Sequence, residues 1–381
     1  MDLVCSRDAF ARAMRASTFG LTGRSASSIL GGVRLSVAGG QLILETTDLD
    51  RAARCRLPLE SSNGEEPCVL DGAVLERIAS RLPEDQRIRL ESGDSPSVMR
   101  LTCGETSFDL PTLSLDEFPD IGDLQGERVA DLSGAEFHRG LELTAFAAFR
   151  PNETTRLPLT GIDLDVRGNT FRMMSCNGHR LAVRSTEIAE TARDAEALVE
   201  AKTLADLDRA FAQLGEKTVE LQRSEGQLFF HTGAASYMVR TIPDEFPSFE
   251  RVIPQESRVS WTVDRQGLLD ALQRIMITAS EESGAVRFHG APDDAAITLF
   301  SASRDRGESN ERVSLRHVLS EPFDIAFRAT YIVDVVRRLA SPEIVFRIQS
   351  SDKACLIEPS GDRMSEKDLG FLYVCMPIHA A

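Results

Sequence analysis

Apolar residues recur at helical spacing in three stretches of the chain, and the stretches are evenly spaced. They cover residues 69–82, 198–211 and 326–339, and their first residues are 129 and 128 positions apart. In the first stretch Val74 and Ile78 lie four positions apart, which places both on one face of a helix. The pattern therefore predicts three amphipathic helices at a regular interval.

Other landmarks keep nearly the same interval, with offsets between 128 and 130 positions. The matching pairs are Leu30–Val33 with Leu159–Ile162, Thr47–Leu49 with Cys176–Gly178, and Phe118–Pro119 with Phe246–Pro247, with Met376–Pro377 as a third copy of the last. Independent landmarks that hold one offset indicate an internal repeat. The chain is predicted to consist of three similar units of about 125 residues.

Each unit contains two copies of a smaller pattern, a helix followed by strands. Strands such as 33–37 alternate apolar and polar residues, as in antiparallel sheets with one solvated face. Six helices are predicted, at 7–16, 71–82, 134–149, 200–213, 265–279 and 329–340. The predicted fold class is α+β, with three similar domains of two helix-plus-antiparallel-sheet modules each. The predicted domains are 1–123, 129–254 and 258–381.

Composition fits a folded, water-soluble protein. The chain has 381 residues, of which 42% are hydrophobic and 27% charged, and this length predicts two or three domains. No apolar run approaches the roughly 20 residues that a membrane helix needs. The first residues lack the apolar segment of a signal peptide, so we expect a cytoplasmic protein that does not bind membranes.

One short segment, Cys176–His179, places a thiol and an imidazole three positions apart. Seven cysteines with no Cys-x-x-Cys pair predict reduced thiols, without a disulfide framework, a metal site or a cofactor. Asn177-Gly178 lies between two alternating runs and is typical of a hairpin turn. A nucleophile also needs an oriented base, which a tight turn does not supply between its two ends. We interpret the segment as a turn, and a thiol enzyme that uses Cys176 and His179 is the remote alternative.

Several of these segments resemble the signatures of bacterial sliding clamps, the β subunits of replicative DNA polymerase III. The segments are Thr160-Gly161 with Cys176–Ala182, Phe246–Phe249 with Arg251–Pro254, Tyr373–Ile378, and near the start Gly23-Arg24 and Ile29–Gly31. The resemblance implies a ring formed by a head-to-tail homodimer, with helices around a central hole and sheets outside. It implies no catalytic centre and no cofactor. Such a ring encircles double-stranded DNA and serves as a processivity factor in DNA replication.

The resemblance also implies a pocket for short peptides of DNA polymerases, the clamp loader and repair proteins. Carried over position by position, its walls are Leu159, Cys176, Gly178, His179, Arg180, Leu181, Pro247, Arg251, Val252, Tyr331, Val374, Met376, Pro377 and Ile378. For the junction between subunits we expect apolar contacts from Phe108 and Ile277. The alternative is that both of these residues belong to domain cores.

The net charge of −16 argues at first against a DNA-binding protein. Its distribution matters more, because the six predicted helices hold twelve basic and ten acidic residues and so carry a weakly positive balance. The residues expected to face DNA are Arg24, Arg77, Arg81, Arg139, Arg150, Lys202, Arg209, Arg274 and Arg337. The alternative is that these are ordinary solvated helix faces.

A few positions depart from the family pattern. Cys176-Asn177 stands where the family usually has Thr-Asp, and Ser283, Arg328 and Asp352 stand where larger apolar or neutral pocket residues are expected. The chain ends in His379–Ala381 without a nearby arginine. These departures keep open a divergent paralogue with a specialised role, such as translesion synthesis or inhibitor resistance.

Overall fold

The computed structural model describes residues 1–21, 28–95, 97–189, 191–215 and 217–378. The chain forms two compact units. Unit 1 comprises Met1–Phe137 and Ile188–Thr241, and unit 2 comprises His138–Glu187 and Ile242–Ala381. Arg24, which was expected to face DNA, and the terminal His379–Ala381 lie outside the described residues.

Six α-helices occur in the described part of the chain, one near each predicted position. They are α1 (Arg7–Ser17), α2 (Gly72–Arg81), α3 (Gly134–Thr144), α4 (Ala201–Leu214), α5 (Arg265–Ile275) and α6 (Ala329–Arg338). The prediction of six helices is thus confirmed. Four of them end before the predicted residue, and α3 and α5 do so by five and four residues. At the last residue of α3, the Thr144 hydroxyl donates to the Gly140 carbonyl at 2.7 Å, and such back-bonding slightly destabilises a helix. After α5, the backbone N–H of Ile277 donates to Arg274, three positions back, so the last turn tightens.

A strand leads directly into each helix, and the connecting residue often caps it. Ser6, Asp71 and Asp264 accept a hydrogen bond from the backbone N–H three positions later, at 3.4, 2.8 and 2.7 Å. Such caps satisfy a helix N–H that would otherwise lack a partner, and each is worth about 1 kcal/mol. The three strand-to-helix junctions therefore share the same kind of side-chain cap.

Unit 1 contains one sheet of 13 strands. Its strands are β1 (Asp2–Ser6), β2 (Gly32–Ala38), β3 (Gln41–Thr47), β4 (Arg51–Pro58), β5 (Ser61–Asn63), β6 (Cys68–Asp71), β7 (Arg87–Ser92), β8 (Val98–Cys103), β9 (Thr106–Leu113), β10 (Glu127–Ser133), β15 (Thr218–Ser224), β16 (Gln227–His231) and β17 (Ala235–Arg240). Their order is β10-β15-β16-β17-β4-β3-β2-β6-β9-β8-β7-β1-β5. Strand β14 (Ala195–Glu200) precedes α4 in the same unit.

Unit 2 builds its sheets from the remaining strands. They are β11 (Gly161–Arg167), β12 (Thr170–Cys176), β13 (Arg180–Glu187), β18 (Val259–Asp264), β19 (Ala285–Gly290), β20 (Ala296–Ser303), β21 (Gly307–Ser314), β22 (Phe323–Arg328), β23 (Glu343–Ile348), β24 (Cys355–Ser360) and β25 (Phe371–Cys375). One sheet has the order β11-β12-β13-β25-β24-β23-β18, and the other has the order β21-β20-β19-β22. Trp261 stacks on Phe323 and Phe346 in the core, with ring centroids 4.1 and 5.3 Å apart.

All pairings described between these strands are antiparallel, as the alternating pattern predicted. The strand pairing β13–β25 in unit 2 matches β4–β17 in unit 1, since both join a strand to the last strand of a later module. In unit 2 this pairing brings the C-terminal strand beside the turn at Cys176–His179. The candidate site lies there.

Candidate binding pocket and basic surfaces

The segment that joins β12 to β13 is a tight turn, as predicted. Gly178 and His179 occupy its centre, and Gly178 has φ of 83°. The side-chain oxygen of Asn177 accepts hydrogen bonds from the backbone N–H groups of His179 and Arg180, both at 3.1 Å. Asn177 therefore shapes the turn through its amide side chain, and only Gly178 needs the left-handed conformation.

A cavity of about 140 Å³ opens beside this turn in unit 2. Its lining residues are Cys176, Gly178, His179, Arg180, Leu181, Pro247, Ser248, Phe249, Val252, Val374 and Met376. Leu181 and Val374 are buried and form an apolar floor, whereas Val252 and Met376 are 46% and 36% exposed. Apolar side chains at a solvent-open cavity offer a ready surface for an apolar group of a ligand.

The cavity gathers most of the residues predicted for the peptide pocket. Nine of the fourteen line it, and Leu159 packs in the apolar cluster beneath. The other four, Arg251, Tyr331, Pro377 and Ile378, do not line it. Ser248 and Phe249 line it without having been predicted, although both lie inside the quoted segment Phe246–Phe249. The apolar side chain of Phe249 was the feature of the sequence that could have marked it as a pocket residue.

Arg180 is held at the cavity by several contacts. Its Nη1 lies 2.7 Å from the Asp334 carboxylate, and its Nη2 donates to the Phe146 carbonyl. The guanidinium carbon also lies 4.4 Å from the centre of the Tyr331 ring and 5.4 Å from that of Phe146. Cation–π and ion-pair contacts together hold the arginine in one orientation. Tyr331 therefore adjoins the cavity through Arg180.

Residues 376–378 form one edge of the site. The backbone N–H of Met376 donates to the His179 carbonyl, and that of Ile378 donates to the Ala326 carbonyl, both at 2.8 Å. These two hydrogen bonds hold the chain between the turn and strand β22. Pro377 and Ile378 therefore support the edge without lining the cavity.

The Cys176 thiol is poorly suited to nucleophilic catalysis. Burial raises its pKa, with a partial opposing effect from the backbone of Gly178. The reactive species is the thiolate, and a raised pKa makes the thiolate scarcer at neutral pH. In the ranges that the structure describes, no three or more His, Cys, Asp or Glu side chains are arranged to hold a metal ion. The geometry supports binding by apolar contact.

Most of the basic residues expected to face DNA have exposed side chains. They are Arg77, Arg81, Arg150, Lys202, Arg209, Arg274 and Arg337. Lys202 and Arg209 line a cleft of about 360 Å³ beside α1, together with Arg15, Arg51 and Asp206. Arg274 forms an ion pair with Glu311, so part of its charge is neutralised locally.

Arg139, which is expected to face DNA, is largely buried. Its side chain is only 12% exposed, and its Nη2 lies 2.6 Å from the fully buried carboxylate of Asp368. The same nitrogen donates to the Arg338 carbonyl at 2.9 Å. A buried carboxylate requires such a partner, because an isolated buried charge is costly. The structure thus places Arg139 in a buried ion pair.

Phe108 and Ile277 both lie at solvent-accessible apolar surface. Phe108 lines a groove of about 440 Å³ in unit 1, with Val74, Ile78, Leu82 and Leu110 among its other apolar residues. Ile277 follows α5 in unit 2 and is 69% exposed. This exposure excludes the alternative that Ile277 belongs to a domain core.

No helix in the described residues is both long and apolar enough to cross a membrane.

Three family models match successive parts of the chain. They describe the N-terminal, central and C-terminal domains of the DNA polymerase III beta subunit, and they match residues 1–122, 131–248 and 250–377. Among curated proteins, the chain is 28% identical to the Beta sliding clamp of Synechococcus elongatus, over 99% of both chains. It is 29% identical to that of Caulobacter vibrioides, over 99% of this chain and 100% of the relative.

Solved structures show the same fold. The sliding clamp of Pseudomonas aeruginosa bound to griselimycin aligns over 100% of both chains, with a TM-score of 0.90 and 23% identity. The DNA polymerase III beta subunit of Thermotoga maritima aligns over the same share, with a TM-score of 0.90 and 24% identity.

Proposed function

The chain belongs to the family of DNA polymerase III beta subunits and is a sliding clamp with the three-domain clamp fold; from this premise, we propose that it closes around double-stranded DNA as a head-to-tail homodimer and tethers DNA polymerases, the clamp loader and repair proteins through short peptides. It works in the cytoplasm and catalyses no reaction. The comparisons favour neither the specialised paralogue nor the thiol enzyme.

The observation that carries the tethering role is the cavity beside the turn at residues 176–180. It combines a buried apolar floor with an exposed rim at Val252 and Met376. Methionine adapts its shape readily and suits the recognition of varied apolar side chains. A few anchor residues usually dominate such binding. A segment with glutamine followed by leucine and phenylalanine, as the family's partners carry, supplies apolar anchors of this kind.

The basic side chains of the helices support sliding on DNA. Arg15, Lys202 and Arg209 line one cleft of unit 1, and the phosphate backbone of DNA attracts such groups without regard to sequence. The whole chain has 59 acidic and 43 basic residues, so the part outside the weakly positive helices is strongly acidic. We expect weak, salt-dependent contact with DNA, so that retention depends on the closed ring.

Retention on DNA tests this function. With a clamp loader and ATP, the protein should remain on nicked circular DNA at moderate salt during gel filtration. After the DNA is cut once, the protein should slide off the ends. Equal retention on circular and linear DNA would mean that it grips phosphates, and the ring would then be rejected.

Ile277 supports dimer formation, because its exposed apolar side chain suits an apolar groove on a second copy of the chain. The groove lined by Phe108 is suitable to receive it. Replacing Ile277 with glutamate would bury an unpaired charge in that contact, which is costly. We expect Ile277→Glu to convert dimers to folded monomers in analytical ultracentrifugation. Val318→Glu, at another exposed apolar position of unit 2, is the matched control and should stay dimeric. A dimeric Ile277→Glu protein would rule out this contact.

A further inference from the structure

Arg328 stands at the end of strand β22, next to the peptide pocket. Its side chain is exposed, and its guanidinium carbon lies 5.7 Å from the centre of the Tyr331 ring. The same ring lies 4.4 Å from the guanidinium carbon of Arg180, which lines the pocket. These two distances to one ring place the two guanidinium groups within about 10 Å of each other. Arg328 and the pocket therefore belong to one continuous surface.

The two arginines differ in their charge partners. Arg180 is paired with Asp334. For Arg328, the contact in hydrogen-bond range is a long one of 3.4 Å from Nη2 to the Glu282 carbonyl, and no carboxylate among the described residues lies within ion-pair distance. Of the acidic residues nearby, Glu281 is paired with Arg306, and Glu282 offers its backbone oxygen. In a chain with a net charge of −16, Arg328 thus keeps an exposed positive charge.

The C-terminal segment connects the pocket with the strand that carries Arg328. Met376 lines the pocket, and two residues later the backbone N–H of Ile378 donates to the Ala326 carbonyl at 2.8 Å. Ala326 precedes Arg328 by two positions on β22, so the tail runs beside the surface from one to the other. A peptide that leaves the pocket along this edge would pass Tyr331 and Arg328.

We propose that Arg328 binds a carboxylate of the partner peptide and so selects partners that carry Asp or Glu near their apolar anchor. The proposal rests on the peptide-tethering function above and adds a charge preference to it. An extended peptide advances about 3.3 Å per residue, so the carboxylate lies within about three residues of the part of the peptide that contacts Arg180. Arginine suits this role, because its planar guanidinium can donate two parallel hydrogen bonds to a carboxylate.

The test uses fluorescein-labelled peptides that contain the glutamine, leucine and phenylalanine anchors. Asp, Asn or Lys is placed in turn at each of the first four positions beyond the anchors, on either side. Fluorescence anisotropy is measured with the wild-type protein, with Arg328→Gln and with Arg328→Glu. Arg304→Gln removes the same charge from an exposed turn between β20 and β21 and is the matched control.

At the position that reaches Arg328, the wild type should bind the Asp peptide about fivefold more tightly than the Asn peptide, as for an exposed ion pair. Arg328→Gln should abolish this ratio without weakening the Asn peptide, which also shows that the variant is folded. Arg328→Glu should prefer the Lys peptide. Arg304→Gln should behave like the wild type, and higher salt should reduce the Asp preference.

The outcomes separate this proposal from the tethering function. If the Asn peptide binds and Met376→Ala weakens it, but no position distinguishes Asp from Asn, the pocket stands and the role of Arg328 is rejected. The same holds if Arg328→Gln keeps the Asp preference. If no peptide binds to the wild type, the tethering function fails, and the charge preference fails with it.

Discussion

The turn at residues 48–51 in unit 1 and the turn at residues 177–180 in unit 2 lie 129 positions apart and have the same construction. In each, the first side chain accepts hydrogen bonds from two backbone N–H groups, through Asp48 in unit 1 and Asn177 in unit 2. The second residue has positive φ, 79° at Leu49 and 83° at Gly178. The repeat seen in the sequence therefore extends to hydrogen-bond geometry.

The arginine that ends each turn is also held in the same way. Each forms an ion pair with an aspartate of a later helix and lies over a phenylalanine ring. The residues are Arg51, Asp206 and Phe19 in unit 1, and Arg180, Asp334 and Phe146 in unit 2. The ion-pair distances are 2.9 and 2.7 Å, and the distance from arginine to ring is 5.4 Å in both.

The two regions differ in what lies beside this shared frame. Leu124 and Val252 are 128 positions apart, at matching places after the two Phe-Pro pairs. Leu124 is 4% exposed and packs with Ala52, Phe229 and Met238, whereas Val252 is 46% exposed at the rim of the pocket. We call the segments 114–126, between β9 and β10, and 241–258, between β17 and β18, the linkers. In unit 1, the linker fills the space that stays open in unit 2.

A second difference concerns the residue that pairs with each turn. Arg240 and Met376 occupy matching places, since the backbone N–H of each donates to the third residue of its turn, Asp50 at 2.9 Å and His179 at 2.8 Å. Arg240 also pairs with the Asp50 carboxylate at 3.1 Å. One module therefore presents an ion pair where the other presents a methionine. The pocket arises from side chains on a repeated frame, and the frame alone does not produce it.

The largest expected effect concerns the linker residues. Leu124→Ala should reduce the free energy of unfolding by about 2–4 kcal/mol, because it leaves a cavity in a packed cluster. Val252→Ala, at the matching exposed position, should change it by less than about 0.5 kcal/mol. Differential scanning calorimetry of both variants measures the difference. Similar losses of stability in the two would mean that the linkers pack alike and would remove the first contrast.

A smaller effect separates the second residues of the two turns. A side chain in the left-handed conformation costs about 1 kcal/mol, so Gly178→Ala should lower the stability by about that amount. Its new Cβ would meet no atom within 4 Å, so the effect is one of backbone conformation. Leu49→Gly should raise the stability by up to about 1 kcal/mol, because it removes the same strain. Thermal midpoints that move in the same direction for both variants would contradict the equivalence of the turns.

The repeat and the six helices could be predicted because they follow from local pattern, whereas the pocket residues could be predicted only through the resemblance to sliding clamps. Helical periodicity and a constant offset survive in the sequence even where identity between repeats is low. The buried ion pair of Arg139 could not be predicted, because its partner Asp368 lies 229 positions away and nothing in the local sequence marks that carboxylate as buried. The role of Asn177 was missed for another reason. The Asn-Gly pair predicts a turn, but it does not tell which residue takes the left-handed conformation.

The filled and open regions also could not be distinguished from sequence alone. Leu124 and Val252 are both apolar residues after a Phe-Pro pair, so their types do not tell which is buried. Burial depends on the side chains that meet them from other strands, such as Phe229 and Met238 in unit 1. Comparison of the matching positions in the folded chain was needed to show which of the two regions is filled.

Peptide affinity at the two matching positions Met376 and Arg240 tests the central claim most directly. A fluorescein-labelled peptide with the glutamine, leucine and phenylalanine anchors is titrated with wild type, Met376→Ala and Arg240→Ala, and anisotropy gives the dissociation constants. We predict at least a tenfold loss for Met376→Ala, about 1.4 kcal/mol, with the dimer intact in sedimentation. Arg240→Ala should bind like the wild type. Unchanged affinity in Met376→Ala, or an equal loss in both variants, would contradict the assignment of partner binding to the unit 2 pocket.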